Sequence, residues 1–147
     1  MQLEIIRKIA TDFRRAIESI PPEDRPIGFE SFPIGSRGDS SLMLGTYLSE
    51  FGQGPFAYVN AWRGQLDAEW SSHAWLSQNG IIVDITADGL DPTQPQIIVG
   101  AMTDFHRSFK IDRDHCYSHA DVNALDGPTM SDLKRFYAKL KASIGRG

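Results

Sequence analysis

The spacing of apolar and polar residues predicts a helix over the first twenty residues. Apolar residues recur there at steps of three and four, and charged residues fall between them. The apolar positions are Leu3, Ile6, Ile9, Ala10, Phe13 and Ile17. Pro21 and Pro22 end the helix, because proline lacks the backbone N–H that a helix interior needs. Residues 21–38 are rich in proline and glycine and are predicted to form a loop.

Two further helices are predicted from the same kind of pattern. The second covers about residues 39–51, with Asp39, Ser40 or Ser41 as its cap. The last opens at residues 129–132 (Thr-Met-Ser-Asp), where Asp stands in place of the usual Glu or Gln of a capping box. Its predicted core face comprises Leu133, Phe136, Tyr137, Leu140 and Ile144.

Between these helices the pattern changes to that of β-strands. Runs rich in β-branched and aromatic residues cover 56–62, 72–76, 81–86 and 96–99. Asn79-Gly80 separates two of these runs, and this dipeptide is a strong signal for a hairpin. Helices followed by strands and then by a helix predict an α+β fold with an antiparallel sheet. Because no linker interrupts the pattern, residues 1–147 are predicted to form a single domain.

Composition narrows the class of protein. The chain has 147 residues, of which 41% are hydrophobic and 23% charged, which suits one globular domain. Fifteen basic and nineteen acidic residues give a charge of -4, so the basic excess of a nucleic-acid-binding protein is missing. No apolar run approaches the ~20 residues that cross a bilayer, so no membrane partner is expected. With no signal-peptide core and a single cysteine, Cys116, a cytoplasmic location is expected.

Three segments carry candidate chemistry. One is the glycine-bracketed loop 35–39 (Gly-Ser-Arg-Gly-Asp), which leads into the second helix. The others are the predicted strands that carry His73 and Asp84, where the carboxylate could orient the imidazole as a general base. A lone carboxylate in an apolar strand is costly unless it is paired, which makes His73 its expected partner. We expect this imidazole to face the N-terminus of the second helix, which would stabilise a thiolate or an oxyanion.

This arrangement resembles the transglutaminase-like branch of the papain-like fold. In that family a Gly-x-Cys-x-Asp-type loop opens a helix, a His-Ala-Trp segment starts one strand, and a strand with Asp follows. The matching segments here are 35–39, 72–76 (Ser-His-Ala-Trp-Leu) and 83–86 (Val-Asp-Ile-Thr), within about residues 32–86.

The resemblance implies a transglutaminase-like core, with N-terminal helices packed on an antiparallel sheet and a C-terminal helix. It also implies acyl transfer or hydrolysis at an amide, thioester or isopeptide bond. The substrate or ligand would be a peptide or a protein, and no cofactor would be needed. Gly35, Asp39 and Trp75 would line the substrate site, and Trp75, which alternates with His73, is otherwise expected in the core.

The chain departs from the family pattern at the nucleophile. The loop alignment puts Arg37 where the family has cysteine, and a shift by one residue puts Ser36 there. Arginine stays protonated and cannot attack, whereas serine could attack with His73 as base but lacks a thiol's ready ionisation. Three explanations stay open: a natural pseudoenzyme, a serine variant, or a chain whose cysteine was replaced by design. We expect acyl transfer to be lost or severely weakened, and a non-catalytic peptide-binding or protein-binding module is the alternative.

A second set of residues has the chemistry of metal ligands. His115, Cys116 and His119 have suitable types and spacing, and His106 is the one spare ligand. Because zinc sites usually need a second ligand pair, no metal is predicted. The oligomeric state is left open by the sequence.

Overall fold

Four helices and five strands make up the part of the chain that the computed structural model describes, residues 2–64, 71–124 and 127–146. The helices are α1 (Gln2–Ser19), α2 (Arg37–Glu50), α3 (Asp104–Arg107) and α4 (Pro128–Arg146). The strands are β1 (Ala57–Arg63), β2 (Ser71–Gln78), β3 (Ile81–Asp84), β4 (Ile98–Ala101) and β5 (Lys110–Ile111). The predicted α+β class, the terminal helices and the antiparallel sheet are confirmed.

The sheet has the strand order β4-β3-β2-β1-β5, and its neighbouring strands pair antiparallel. The predicted hairpin joins β2 to β3, with Leu76 paired to Val83 and Gln78 to Ile81. Asn79 and Gly80 form the turn with φ of 50° and 82°, the left-handed backbone that tight hairpin turns need. Strand β5 was not predicted, because two residues are too few to show an alternating pattern.

Both faces of the sheet are covered, and each has its own apolar cluster. On one face, Leu76, Val83 and Val99 pack against the buried residues of α1, α2 and α4. On the other face, Trp75, Ile82 and Ile98 pack with Ala61, Phe105 and Phe109. Because side chains alternate along a strand, a strand buried on both faces has a nearly continuous apolar sequence. This explains the short unbroken apolar runs at 74–76 in β2 and 81–83 in β3.

The helix starts differ from the predicted ones by one or two residues. Helix α2 begins at Arg37, with Ser36 at the N-cap position, so the predicted caps Asp39, Ser40 and Ser41 lie inside the helix and that prediction was wrong. Helix α4 begins at Pro128, a residue type favoured in the first turn, and the side chain of the predicted cap Thr129 lies outside the described residues. No helix in the described ranges is both long enough and apolar enough to span a bilayer.

Arg14 joins α1 to the segments on either side of the turn between β3 and β4. Its side chain is 3% exposed and donates to both carboxylate oxygens of Asp88, at 2.6 and 2.8 Å. It also donates to the backbone carbonyls of Ile85 (2.8 Å) and Gln96 (3.2 Å). A buried guanidinium with this many acceptors fixes the position of α1 on the sheet.

We predict that Arg14→Met destabilises the fold by about 3–5 kcal/mol, because it leaves Asp88 as a partly buried carboxylate without its cation. Urea unfolding of the two proteins measures this loss. Arg15→Met is the matched control, since Arg15 is exposed on the same helix and its loss should stay within about 0.5 kcal/mol. Equal losses in the two variants would contradict this account of Arg14.

Candidate functional site

A buried carboxylate held between two imidazoles is the main cluster of chemically active groups. Asp84, the last residue of β3, accepts at Oδ2 from Nε2 of His73 on β2 and from Nε2 of His106 on α3. Both distances are 2.7 Å, and none of the three side chains is more than 1% exposed. The predicted pairing of His73 with Asp84 is therefore present, and His106 is an addition that was not predicted.

The hairpin register explains why His73 and Asp84 meet. Because Leu76 pairs with Val83, one step along each strand sets Trp75 opposite Asp84. His73 lies two residues further along β2, on the same face, and is the diagonal neighbour of Asp84. Long side chains in diagonal positions reach each other, which gives the observed hydrogen bond.

His106 reaches Asp84 from the short helix α3, which lies on the face of the sheet opposite α2. Thr103 caps α3 by accepting from the backbone N–H of His106, and its Oγ1 lies 2.7 Å from His106 Nδ1. In a neutral His106 ring that donates to Asp84 at Nε2, Nδ1 carries the lone pair and accepts from the Thr103 hydroxyl. In the sequence, Thr103 three residues before His106 is consistent with a capped turn, but it gives no sign that the ring meets Asp84.

Aromatic rings enclose this cluster. The His73 ring has its centroid 5.8 Å from that of Trp75, 5.7 Å from Phe105 and 5.8 Å from Phe109. The Trp75 and His106 centroids are 4.8 Å apart, so Trp75 belongs to the core and also forms a wall around the two histidines. Three polar atoms of this region are buried without a hydrogen-bond partner among the described groups: His73 Nδ1, Trp75 Nε1 and Thr86 Oγ1.

The hydrogen bonds keep Asp84 ionised although it is buried. Burial by itself raises the pKa of the Asp84 carboxyl, but the hydrogen bonds from His106, His73 and the Thr86 backbone N–H, with the electrostatic attraction of His73, outweigh burial and lower the pKa to about 2. The cluster therefore carries one negative charge when both imidazoles are neutral.

A separate polar cleft lies at the N-terminus of α2. It has a volume of about 250 Å³ and is lined by the loop 35–39 together with Tyr58, Asn60 and Ser72. Arg37 donates to Ser72 Oγ across the cleft. Ser36 is 3% exposed, and its Oγ accepts from Ser40 Oγ at 3.2 Å. Burial raises the pKa of the Asp39 carboxyl above its usual value.

The expectation that the His73 imidazole faces the N-terminus of α2 was wrong. Helix α2 covers the face of the sheet to which Ser72 and Leu76 point, since Ser72 contacts Arg37 and Leu76 lies beside Gly45. His73 follows Ser72 directly, so its side chain points to the opposite face, into the aromatic cluster. Because His73 is the next residue after Ser72 on β2, the predicted base points away from the predicted nucleophile positions 36 and 37.

The predicted site residues thus fall into two groups. Gly35, Ser36, Arg37 and Asp39 meet in the cleft, whereas His73, Asp84 and Trp75 meet on the other face of the sheet. Trp75 was predicted to line one substrate site with Gly35 and Asp39, and the structure does not bring it to them. The sheet itself lies between the two groups.

The structure also separates the second set of potential metal ligands. His115 is exposed, and its Nδ1 is hydrogen-bonded to Asp112 Oδ2 at 2.8 Å. The Cys116 thiol donates to the Asp112 backbone carbonyl at 3.1 Å. His106, the predicted spare ligand, is committed to Asp84 instead. Within the described ranges, His73, Asp84 and His106 form the only group of three or more metal-ligating side chains whose ligand atoms lie within 4.8 Å of one another.

Comparisons of the chain with protein-family models, with curated proteins and with solved structures found no match. The resemblance to the transglutaminase-like branch rests on the short motifs at 35–39, 72–76 and 83–86. The function is therefore inferred from the geometry of the site.

We predict that Asp84→Asn destabilises the protein by about 2–3 kcal/mol near pH 7, because it weakens two hydrogen bonds to a charged acceptor. The folded pKa of about 2 lies below the usual 3.8, so the carboxylate stabilises the fold above pH 3.8 and this stabilisation is lost as the pH falls towards 2. Thermal unfolding of both proteins between pH 2 and pH 7 measures the difference.

Asp112→Asn is the matched control, since Asp112 also pairs with a histidine, but with the exposed His115. Its loss should be about 0–1 kcal/mol, as for other surface pairs. If Asp84→Asn kept the full wild-type stability at pH 7, the carboxylate would not be the ionised centre of the cluster.

Proposed function

We propose that this chain is a transglutaminase-like domain that has lost acyl transfer and serves as a binding module, holding a peptide by an amide group in the cleft at the N-terminus of α2. The observation that carries the proposal is the separation of the two residue groups. The His73 imidazole and the nucleophile positions 36 and 37 lie on opposite faces of the sheet.

Acyl transfer through a serine needs a base within about 2.6–3.2 Å of the attacking hydroxyl. The described partner of the Ser36 hydroxyl is the hydroxyl of Ser40, which is not a base at neutral pH. Arg37 occupies the other position and stays protonated. The residues described in the cleft therefore provide no activated nucleophile.

The polar groups of the cleft match an amide better than a simple anion or cation. Arg37 offers N–H donors, and Asp39, two residues later in the first turn of α2, offers carboxylate acceptors. A helix N-terminus adds backbone N–H groups that have no partner within the helix. An amide presents a carbonyl acceptor and N–H donors side by side, so one group satisfies both residues.

The size of the cleft supports the same ligand class. A volume of about 250 Å³ is below the ~300–1,000 Å³ of pockets that enclose drug-sized ligands. Gly38 keeps the wall open, because a Cβ at this position would lie 2.8 Å from the Tyr58 hydroxyl. The cleft therefore suits one side chain of a longer peptide.

We predict that N-acetylglutamine methylamide binds at this cleft and is not hydrolysed. Backbone amide shifts in a ¹H–¹⁵N titration should map to the loop 35–39, Asn60 and Ser72. Arg37→Ala should weaken binding about tenfold, the share of one hydrogen bond from a charged donor. N-acetylmethionine methylamide, which has a similar length but no side-chain amide, should bind much more weakly.

Arg113→Ala is the control variant, since Arg113 is exposed outside the cleft, and it should leave binding unchanged. Equal binding of the two probes would contradict recognition of a side-chain amide, because both probes carry the same backbone amides. Release of ammonia from the glutamine probe by the wild-type protein would support the acyl-transfer enzyme instead.

We also predict that Arg37→Cys gives a thiol whose pKa is lowered by the helix N-terminus below the ~8.5 of a free cysteine. Because the structure turns His73 away, the alkylation rate at pH 6–7 should be the same with and without His73→Gln. Ser36→Cys is the comparison, and it should react more slowly because position 36 is buried. A rate that fell with His73→Gln would restore His73 as the base of a catalytic site.

A further inference from the structure

We infer that His73, Asp84 and His106 form a binding site for a divalent transition-metal ion such as Zn²⁺. This site lies on the face of the sheet opposite the amide-binding cleft and does not depend on it. Two imidazoles and one carboxylate are the ligand types that zinc, cobalt and iron accept, whereas magnesium and calcium prefer oxygen alone.

The distances are close to those of a metal site. The ligand atoms of the three residues lie within 4.8 Å of one another, and each Nε2 is 2.7 Å from Asp84 Oδ2. Ligands at about 2.0–2.2 Å from a tetrahedral zinc are separated by about 3.3 Å. Each histidine would therefore move away from the carboxylate by roughly 0.6 Å, and the two imidazole nitrogens, which lie within 4.8 Å of each other, would settle at the same ~3.3 Å separation to admit the ion.

Each imidazole can carry its proton at Nδ1 and leave Nε2 free to bind the ion. Metal binding needs a lone pair at each Nε2, so each ring must carry its proton at Nδ1. In His106 that proton can be donated to Thr103 Oγ1, at 2.7 Å, which is the kind of outer partner that orients metal-bound histidines. In His73 the Nδ1 atom has no hydrogen bond, so the shift breaks only the bond to Asp84.

Charge and unsatisfied polar groups favour a cation at this point. The described hydrogen bonds of Asp84 come from two imidazoles and a backbone N–H, while Arg63 stacks on the rings of Phe105 and Phe109 instead. A buried negative charge among aromatic rings is costly, and a dication would offset it. Thr86 is held next to Asp84 by its N–H, and its buried hydroxyl has no hydrogen-bond partner among the described groups.

The test is a titration of the full, chelator-stripped chain with ZnCl₂ and, separately, with CoCl₂. We expect one equivalent of Zn²⁺ to bind, and Tm to rise by about 5–10 °C when free zinc is ~100 times its Kd. Co²⁺ should give the visible absorption of a four-coordinate site. His73→Gln and His106→Gln should each abolish both effects.

The double variant His115→Gln/His119→Gln is the matched control, since it removes the two exposed histidines and should leave binding unchanged. Imidazole ¹⁵N shifts of the wild-type chain need no variant, and zinc should move the signals of His73 and His106 alone. Absence of stoichiometric uptake, or uptake that moves the signals of His115 and His119 instead, would overturn the proposal.

Discussion

Strand β2 sends neighbouring side chains to opposite faces of the sheet, and this period of two decides which residues of the molecule meet. Ser72 and Leu76 face α2, whereas His73 and Trp75 face the aromatic cluster. Both faces are buried, so a shift of one residue in register would exchange the two sets and disrupt both cores. The positions of the cleft and of the histidine cluster follow from this constraint.

Asp84 connects the elements on the second face of the sheet through its hydrogen bonds. Its carboxylate joins β3 to β2 through His73 and to α3 through His106, three elements that are separate in the chain. The charge is retained because the donors aimed at it outweigh the burial among the surrounding rings, which by itself raises the pKa of the carboxyl. The same features, convergent nitrogen and oxygen donors with a single net negative charge, are those that a transition-metal ion requires.

On the first face, the close packing of α2 against its neighbours depends on a residue without a side chain. A Cβ at Gly45 would lie 2.4 Å from Ala120 Cβ, so glycine permits the close approach of the helix to its neighbours. At the start of the helix, Arg37 stands where a nucleophile would be expected from the resemblance, and it contacts Ser72. An arginine at this position offers hydrogen-bond donors to a ligand and cannot act as a nucleophile.

The local features could be predicted from the sequence: the amphipathic α1, the hairpin at Asn79-Gly80, and the need of Asp84 for a partner. Each of them depends on residues a few positions apart or on adjacent strands. The sequence did not determine which face of β2 would receive α2, nor that His106 would reach Asp84 across β4 and a loop. Strand β5, which has two residues, could not be predicted from the sequence either. These features depend on packing between segments distant in the chain, and a local pattern of apolar and polar residues shows that a strand is buried on both faces without showing which segment covers each face.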